Sequence, residues 1–185
     1  MKLWLLRHAR VLVQSGLCYG VSEVDADPAS TDITAQNFAS IPARSSLLWT
    51  SPSARALLLA GAIRSRRPDI GAPLMDARLQ EMDFGDWELK VWEHIPRTAI
   101  DAWVTDFADH RFGGKESAQE VIDRVAAALS DASKLQVPEM VWVTHAGVIR
   151  AVQFLLASGM RRRILSASEW PASAIGMGEW LCVEV

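Results

Sequence analysis

Four short stretches of this chain carry side chains that could work on one molecule. Arg7-His8 follows the apolar run KLWLL, and Ser51-Pro52 follows SLLWT, with Arg55 close behind. His145-Ala146-Gly147 follows MVWVT, and the segment RLQEMDFGDWE holds Glu81, Asp83 and Glu88. Arginine offers planar paired donors that match phosphate oxygens. Histidine is the side chain most easily kept neutral, and therefore nucleophilic, near neutral pH. The set fits phosphoryl transfer to a histidine. His8 would attack phosphorus and form a phosphohistidine. Arg7, Arg55 and His145 would hold the remaining oxygens and steady the charge that spreads over them. Cationic side chains supply the positive charge, so the expectation is an enzyme with no cofactor and no metal. A leaving alkoxide needs a proton, which asks for a carboxylic acid nearby. Glu81, just ahead of the turn-like Phe84-Gly85, is the first candidate. Asp83 and Glu88 compete with it, and spacing alone does not choose among the three.

The elements that position these residues follow from the apolar pattern. The three runs before Arg7, Ser51 and His145 are too short for free-standing helices. Each precedes a helical period, as buried strands of a parallel sheet do. Ser51-Pro52 reads as an N-cap and first-turn proline opening a helix over about 52–66, with RSRR at its carbonyl end. Ser117 and Glu120 match a capping box after Gly113-Gly114, and Val121, Ile122, Val125 and Leu129 share one helical face. Further helices are expected over about 97–109 and about 147–160, the latter ending in GMRRR. Both arginine clusters read as helix ends. The tail SAIGMGEWLCVEV reads as two strands joined at Gly178-Glu179. Alternation of this kind predicts a three-layer α/β/α sandwich with a mostly parallel central sheet. Ligands of such sheets sit at the carboxyl ends of the strands, where Arg7, His8, Ser51 and His145 fall. Residues 1–185 read as a single domain, with a helical insertion at about 77–115.

Composition sets the outer bounds. Half of the 185 residues are hydrophobic and 22% are charged, enough for a proper core. The formal charge of −3 lacks the basic excess of a general nucleic-acid binder, so an anion must be caught by a few placed cations. Cys18 and Cys182 lie in no CxxC or Cys/His cluster and read as reduced thiols of a cytoplasmic protein. Cys182, in an alternating apolar tail, reads as a core residue. The eight tryptophans read as core or half-core. The apolar stretch after Lys2 is too short for a signal-peptide core, and no stretch approaches a membrane span. The expected partner is a small phosphorylated molecule, without nucleic acid or membrane; a homodimer is left open.

These residues resemble the histidine phosphatase superfamily, also called phosphoglycerate-mutase-like. LLRHAR is similar to its Arg-His-Gly signature and WTSPSARALLLA to its Ser-Ser-Pro…Arg-Ala segment. LQEMDFGDWE is similar to its Leu-x-Glu…Phe-Gly-x-Trp-Glu segment and VTHAGVIRAV to its second-histidine motif. All four appear in the family's order across about residues 3–154. The resemblance implies that His8 is the phosphorylated nucleophile. It implies that Arg7, Arg55 and His145 form the phosphate pocket, and that Glu81, rather than Asp83 or Glu88, is proton donor and later base. LCYGVSEVD, EMDFGDWE and GGKES together resemble the α-ribazole phosphatase branch, which acts in the late, nucleotide-loop part of cobalamin synthesis. In that branch Cys18, Tyr19 and Gly20 would be substrate contacts; Tyr19-Gly20 also reads as an ordinary turn.

The chain departs from the family pattern at Ala9, at Arg10-Val11 and at Gln14. Val11 removes a hydroxyl, and Arg10 adds a cation that either meets a second acidic group or is solvated. Two other functions come with the resemblance. A phosphoglycerate mutase must exclude water from the site, and this short chain has little room for lid segments. Protein-phosphohistidine phosphatases and phosphate-binding regulatory modules of the superfamily tend to lack the segment carrying the acid, which is present here. Hydrolysis of a small phosphomonoester is therefore expected.

Overall fold

The computed structural model describes residues 1–172 and 175–185. Five strands form one sheet: β1 (Lys2–Arg7), β2 (Leu47–Thr50), β3 (Leu74–Met75), β4 (Glu139–Thr144) and β5 (Trp180–Glu184). Their order is β3-β2-β4-β1-β5, and only β5 runs antiparallel to its neighbour. Five helices accompany them: α1 (Pro28–Phe38), α2 (Ala54–Arg66), α3 (Arg97–Thr105), α4 (Ala118–Lys134) and α5 (Ala146–Ala157).

Alternation along the strands builds two cores. Leu3 and Leu5 of β1, with Met140 and Trp142 of β4, pack with α4 and α5 on one face. Leu6, Leu48, Val141 and Val143 pack with α1 and α2 on the other. Apolar residues face both ways because helices cover both faces, and the result is the expected three-layer α/β/α sandwich. All eight tryptophans are buried or half-buried.

Several boundaries differ from the sequence expectation, each for a physical reason. The second helix starts at Ala54 with Ser53 as its N-cap, not at Pro52. Ser51 is still in the sheet, donating its N–H to Val143 O. The free Ala54 N–H is taken by Glu23 Oε2 at 3.0 Å, from a different loop. Helix α5 stops at Ala157, and Gly159 and Met160 both have positive φ. Arg161 and Arg163 therefore lie beyond the helix, where they pair with Glu169 and Asp109. Among the described residues the tail carries one strand, β5, and Met177-Gly178 forms a turn that leads directly into it. The first part of the expected extra strand, Ser173-Ala174, lies outside the described residues. Cys182 is exposed on this outermost strand, not in the core. Within 77–115, α3 is accompanied by three single 3₁₀ turns, so the segment is more loop than helix. Among the described residues no helix is long and apolar enough to cross a membrane.

The capping box forms as expected. Ser117 Oγ accepts from Glu120 N at 3.2 Å, and Glu120 Oε2 accepts from Ser117 N at 2.8 Å. Replacing Ser117 by Ala should lower unfolding free energy by about 1 kcal/mol in urea titration, with an unchanged slope.

Candidate active site

Three neighbouring strands deliver the predicted residues to one edge. In the β1–β4 pair Arg7 lies opposite Thr144, and in the β2–β4 pair Thr50 lies opposite Val143. The ladder runs one step further, since His8 N donates to Thr144 O and Ser51 N to Val143 O, each at 3.0 Å. His8 and His145 thus stand side by side, with ring centroids 5.2 Å apart. Arg55 enters from the first turn of α2, fully buried.

His8 Nδ1 lies 2.8 Å from Ala9 O. A carbonyl can only accept, so Nδ1 carries the proton and Nε2 keeps its lone pair. Burial pushes the His8 pKa down to about 3, against the Ala9 hydrogen bond, and the Arg55 and Arg7 charges push the same way as burial. His145, fully buried, is also held well below the usual histidine range, first by burial and then by its cationic neighbours. Both imidazoles are therefore neutral at neutral pH. Four buried nitrogens, Arg7 Nε, Arg55 Nε, His145 Nδ1 and Arg150 Nε, have no hydrogen-bond partner among the described residues. Leaving such groups unpaired costs about 1–3 kcal/mol each, and their gathering at one place suits an anion that would pair with them.

The structure separates the three carboxylates. Glu81 lines the same cavity, of about 320 Å³, as Arg7, His8 and Arg55. Its two oxygens accept from Gly147 N at 3.1 Å each, at the amino end of α5. A Cβ on Gly147 would lie 2.2 Å from Glu81 Oε1, so the glycine leaves room for the carboxylate. The loop before Glu81 is tied down by Thr144 Oγ1, which donates to Leu79 O at 2.7 Å. Glu88 instead accepts from the N–H groups of Gly20, Val21, Ser22 and Phe84, and so fastens two loops together. Asp83 caps its own turn by accepting from Gly85 N.

Of Cys18, Tyr19 and Gly20, only Tyr19 lines the cavity, with Arg55 over its ring at 5.4 Å. Cys18 is packed in the core, where burial pushes its thiol up to about 12, and it does not face the site. Gly20 serves the backbone: its O accepts from Arg55, and a Cβ there would collide with Met82 O at 1.8 Å. Arg10 binds Asp27, the N-cap of α1, and Val11 is buried against Ala26. The departure from the family pattern at these two positions thus serves the loop leading into α1.

Sequence reasoning missed three groups. Arg150 reaches the cavity from α5, five residues after His145 on the next turn, a spacing visible in VTHAGVIRAV. Sequence places Ser51 at its strand end with only a capping role, and omits Ser53; their hydroxyls lie 2.8 Å and 3.2 Å from His145 Nε2. Phe84, Trp92, Trp103, Phe107 and Trp170 line the cavity, although composition alone assigns the tryptophans to the core or half-core.

Residues 3–164 match the model of the histidine phosphatase superfamily, branch 1. The chain belongs to that superfamily. This histidine phosphatase is 28% identical over 163 residues to the Hydrogenobacter thermophilus protein named "Putative phosphoserine phosphatase 2", covering 84% of this chain and 78% of that one. Its fold is shared with a mycobacterial glucosyl-3-phosphoglycerate phosphatase (TM-score 0.81, 23% identity, 99% of this chain and 92% of that one). It is shared also with the α-ribazole phosphatase of Shigella flexneri (TM-score 0.78, 23% identity, 100% and 91%).

The two neutral histidines make stability depend on pH. Their folded pKa values lie below the unfolded value of 6.5, so between pH 6.5 and about 3 the unfolded chain binds more protons. The histidine phosphatase should therefore lose stability as pH falls below 6.5, by roughly 1 kcal/mol per histidine per pH unit. Urea titrations at pH 7.5 and 5.5 should show this loss. The double replacement His8→Asn/His145→Asn should flatten it, and an unchanged slope in that variant would contradict the burial argument.

Proposed function

We propose that this histidine phosphatase hydrolyses a small phosphomonoester through a phosphohistidine on His8. The observation that carries the reading is the buried His8 imidazole, neutral and with Nδ1 committed to Ala9 O, set among Arg7, Arg55 and His145. Its Nε2 lone pair attacks phosphorus as the ester P–O bond breaks. Arg7, Arg55 and His145 hold the non-transferring oxygens. Glu81, protonated for this half-reaction, gives its proton to the departing alkoxide. In the second half Glu81, now ionised, takes a proton from water. The water oxygen then attacks the phosphohistidine, the N–P bond breaks, and phosphate leaves with His8 neutral again.

The substrate we propose is α-ribazole 5′-phosphate, in the cytoplasmic, late part of cobalamin synthesis. The aromatic lining, with Phe84, Trp92, Trp103 and Phe107, supports it, since a planar base gains by stacking there. A second reading has support from Arg150. Phosphoserine and phosphoglycerate esters carry a carboxylate, and the buried, unpaired Arg150 Nε lies on a side chain that could meet one.

His8→Ala should abolish turnover of an aryl phosphate and the acid-labile phosphoenzyme trapped from labelled substrate. Wild-type activity in that variant would overturn the mechanism. Glu81→Gln should lower kcat about 10²–10⁴-fold on alkyl esters. It should cost much less on p-nitrophenyl phosphate, whose leaving group needs no proton. Ranking kcat/KM over α-ribazole 5′-phosphate, phosphoserine and 3-phosphoglycerate decides the substrate. A lead for phosphoserine favours the carboxylate reading, and conversion of phosphoglycerate without release of phosphate favours a mutase.

A further inference from the structure

The serines before α2 have a use that capping does not explain. Ser51 and Ser53 are fully buried, and neither hydroxyl caps the helix. Both point at one atom, His145 Nε2, at 2.8 Å and 3.2 Å. They also lie 3.3 Å from each other, and Ser51 Oγ accepts from Ser53 N at 3.3 Å.

A count of donors and acceptors favours one place for the His145 proton. Suppose Nε2 carries it. Nε2–H and Ser53 N–H then fill both lone pairs of Ser51 Oγ, and the Ser51 hydroxyl donates to Ser53. The Ser53 hydroxyl is left with no acceptor in a buried place, at a cost of about 1–3 kcal/mol. Suppose instead that Nε2 is bare. One hydroxyl then donates to Nε2, the other donates to its fellow serine, and both serine hydroxyl hydrogens are used. The second arrangement leaves only the Nδ1–H without a partner among the described residues, whereas the first leaves both the Ser53 hydroxyl and a bare Nδ1 unpaired. His145 is neutral in its cationic surroundings, so it carries only one ring proton.

We infer that Ser51 and Ser53 are positioning residues that hold His145 as its Nδ1–H tautomer. Nδ1, buried and without a partner among the described residues, is then a donor held ready beside His8. In the opposite tautomer a lone pair would face the phosphoryl oxygens and repel them. The catalytic part of this inference rests on the proposed phosphohistidine mechanism; the tautomer itself does not.

The test has a spectroscopic arm and a kinetic arm. In the whole protein labelled with 15N-histidine, long-range proton–nitrogen correlation spectra distinguish the two tautomers. His145 is assigned by loss of its signals in His145→Asn. Nδ1–H is expected for the wild type, and a protonated Nε2 overturns the inference irrespective of any activity. In Ser51→Ala/Ser53→Ala the tautomer should become mixed. The kcat for p-nitrophenyl phosphate should fall roughly tenfold or more with KM little changed, as when a histidine loses the group that sets its tautomer. Ser51→Thr, which keeps the hydroxyl, should restore both the spectrum and most of kcat. An unchanged kcat in a folded double variant would overturn the positioning role. Should the double variant fail to fold, Ser51→Thr and the wild-type spectrum still decide: a protonated Nε2 in either counts against the inference. Loss of the phosphohistidine reading itself would appear separately, as activity retained in His8→Ala.

Discussion

The pairing of β1 with β4 puts two imidazoles side by side where almost none of either ring meets bulk solvent, and much of the site depends on that burial. Buried in this way, neither ring holds a second proton at neutral pH, even before the neighbouring arginines add their repulsion. A neutral ring among cations keeps a lone pair where an electron-poor phosphorus would sit. The same parallel register fixes the spacing, because Arg7 opposite Thr144 leaves His8 and His145 as the next residues on adjacent strands. A slip of one residue would turn every side chain of β1 to the opposite face and take Leu3, Leu5 and Leu6 out of their cores.

Glu81 is placed by different means. It lies on no regular element, so its position comes from three local ties: the Leu79 carbonyl held by Thr144, the Met82 N–H on Oε1, and the Gly147 N–H shared by both oxygens. Two of these reach back to β4 and α5, the elements that carry His145. The loop is therefore referenced to the same framework as the histidines, although it enters from far away in the chain.

Much of this was legible in the sequence. Apolar runs ending in Arg7-His8, Thr50-Ser51 and Thr144-His145 marked strand ends, and the capping box at Ser117 marked a helix start. The choice among Glu81, Asp83 and Glu88 was not legible from spacing, because all three sit within one irregular stretch and only the fold shows which backbone N–H groups each one meets. Resemblance to the superfamily singled out Glu81, the carboxylate that lines the cavity. The helix at Ser51-Pro52 was placed too early because a serine before a proline signals a cap, while here both serine hydroxyls turn to a histidine that sequence keeps ninety residues away. Cys182 misled for a related reason: alternation describes a strand but not whether it lies at the edge of its sheet. The aromatic wall was hidden because a tryptophan lining a cavity and one filling a core look alike in a sequence.

Glu88 has a consequence for anyone reshaping this cavity. A single carboxylate ties the loop of Gly20–Ser22 to the loop of Phe84, and those loops bring Tyr19 and Phe84 to the cavity. The opening is thus spanned like a bracket, with Glu88 gripping the N–H side of the Gly20–Ser22 loop and Arg55 its carbonyls. Libraries that vary Tyr19 or Phe84 would alter the lining while the bracket holds. Changing Glu88 would loosen both arms together by freeing four backbone donors at once.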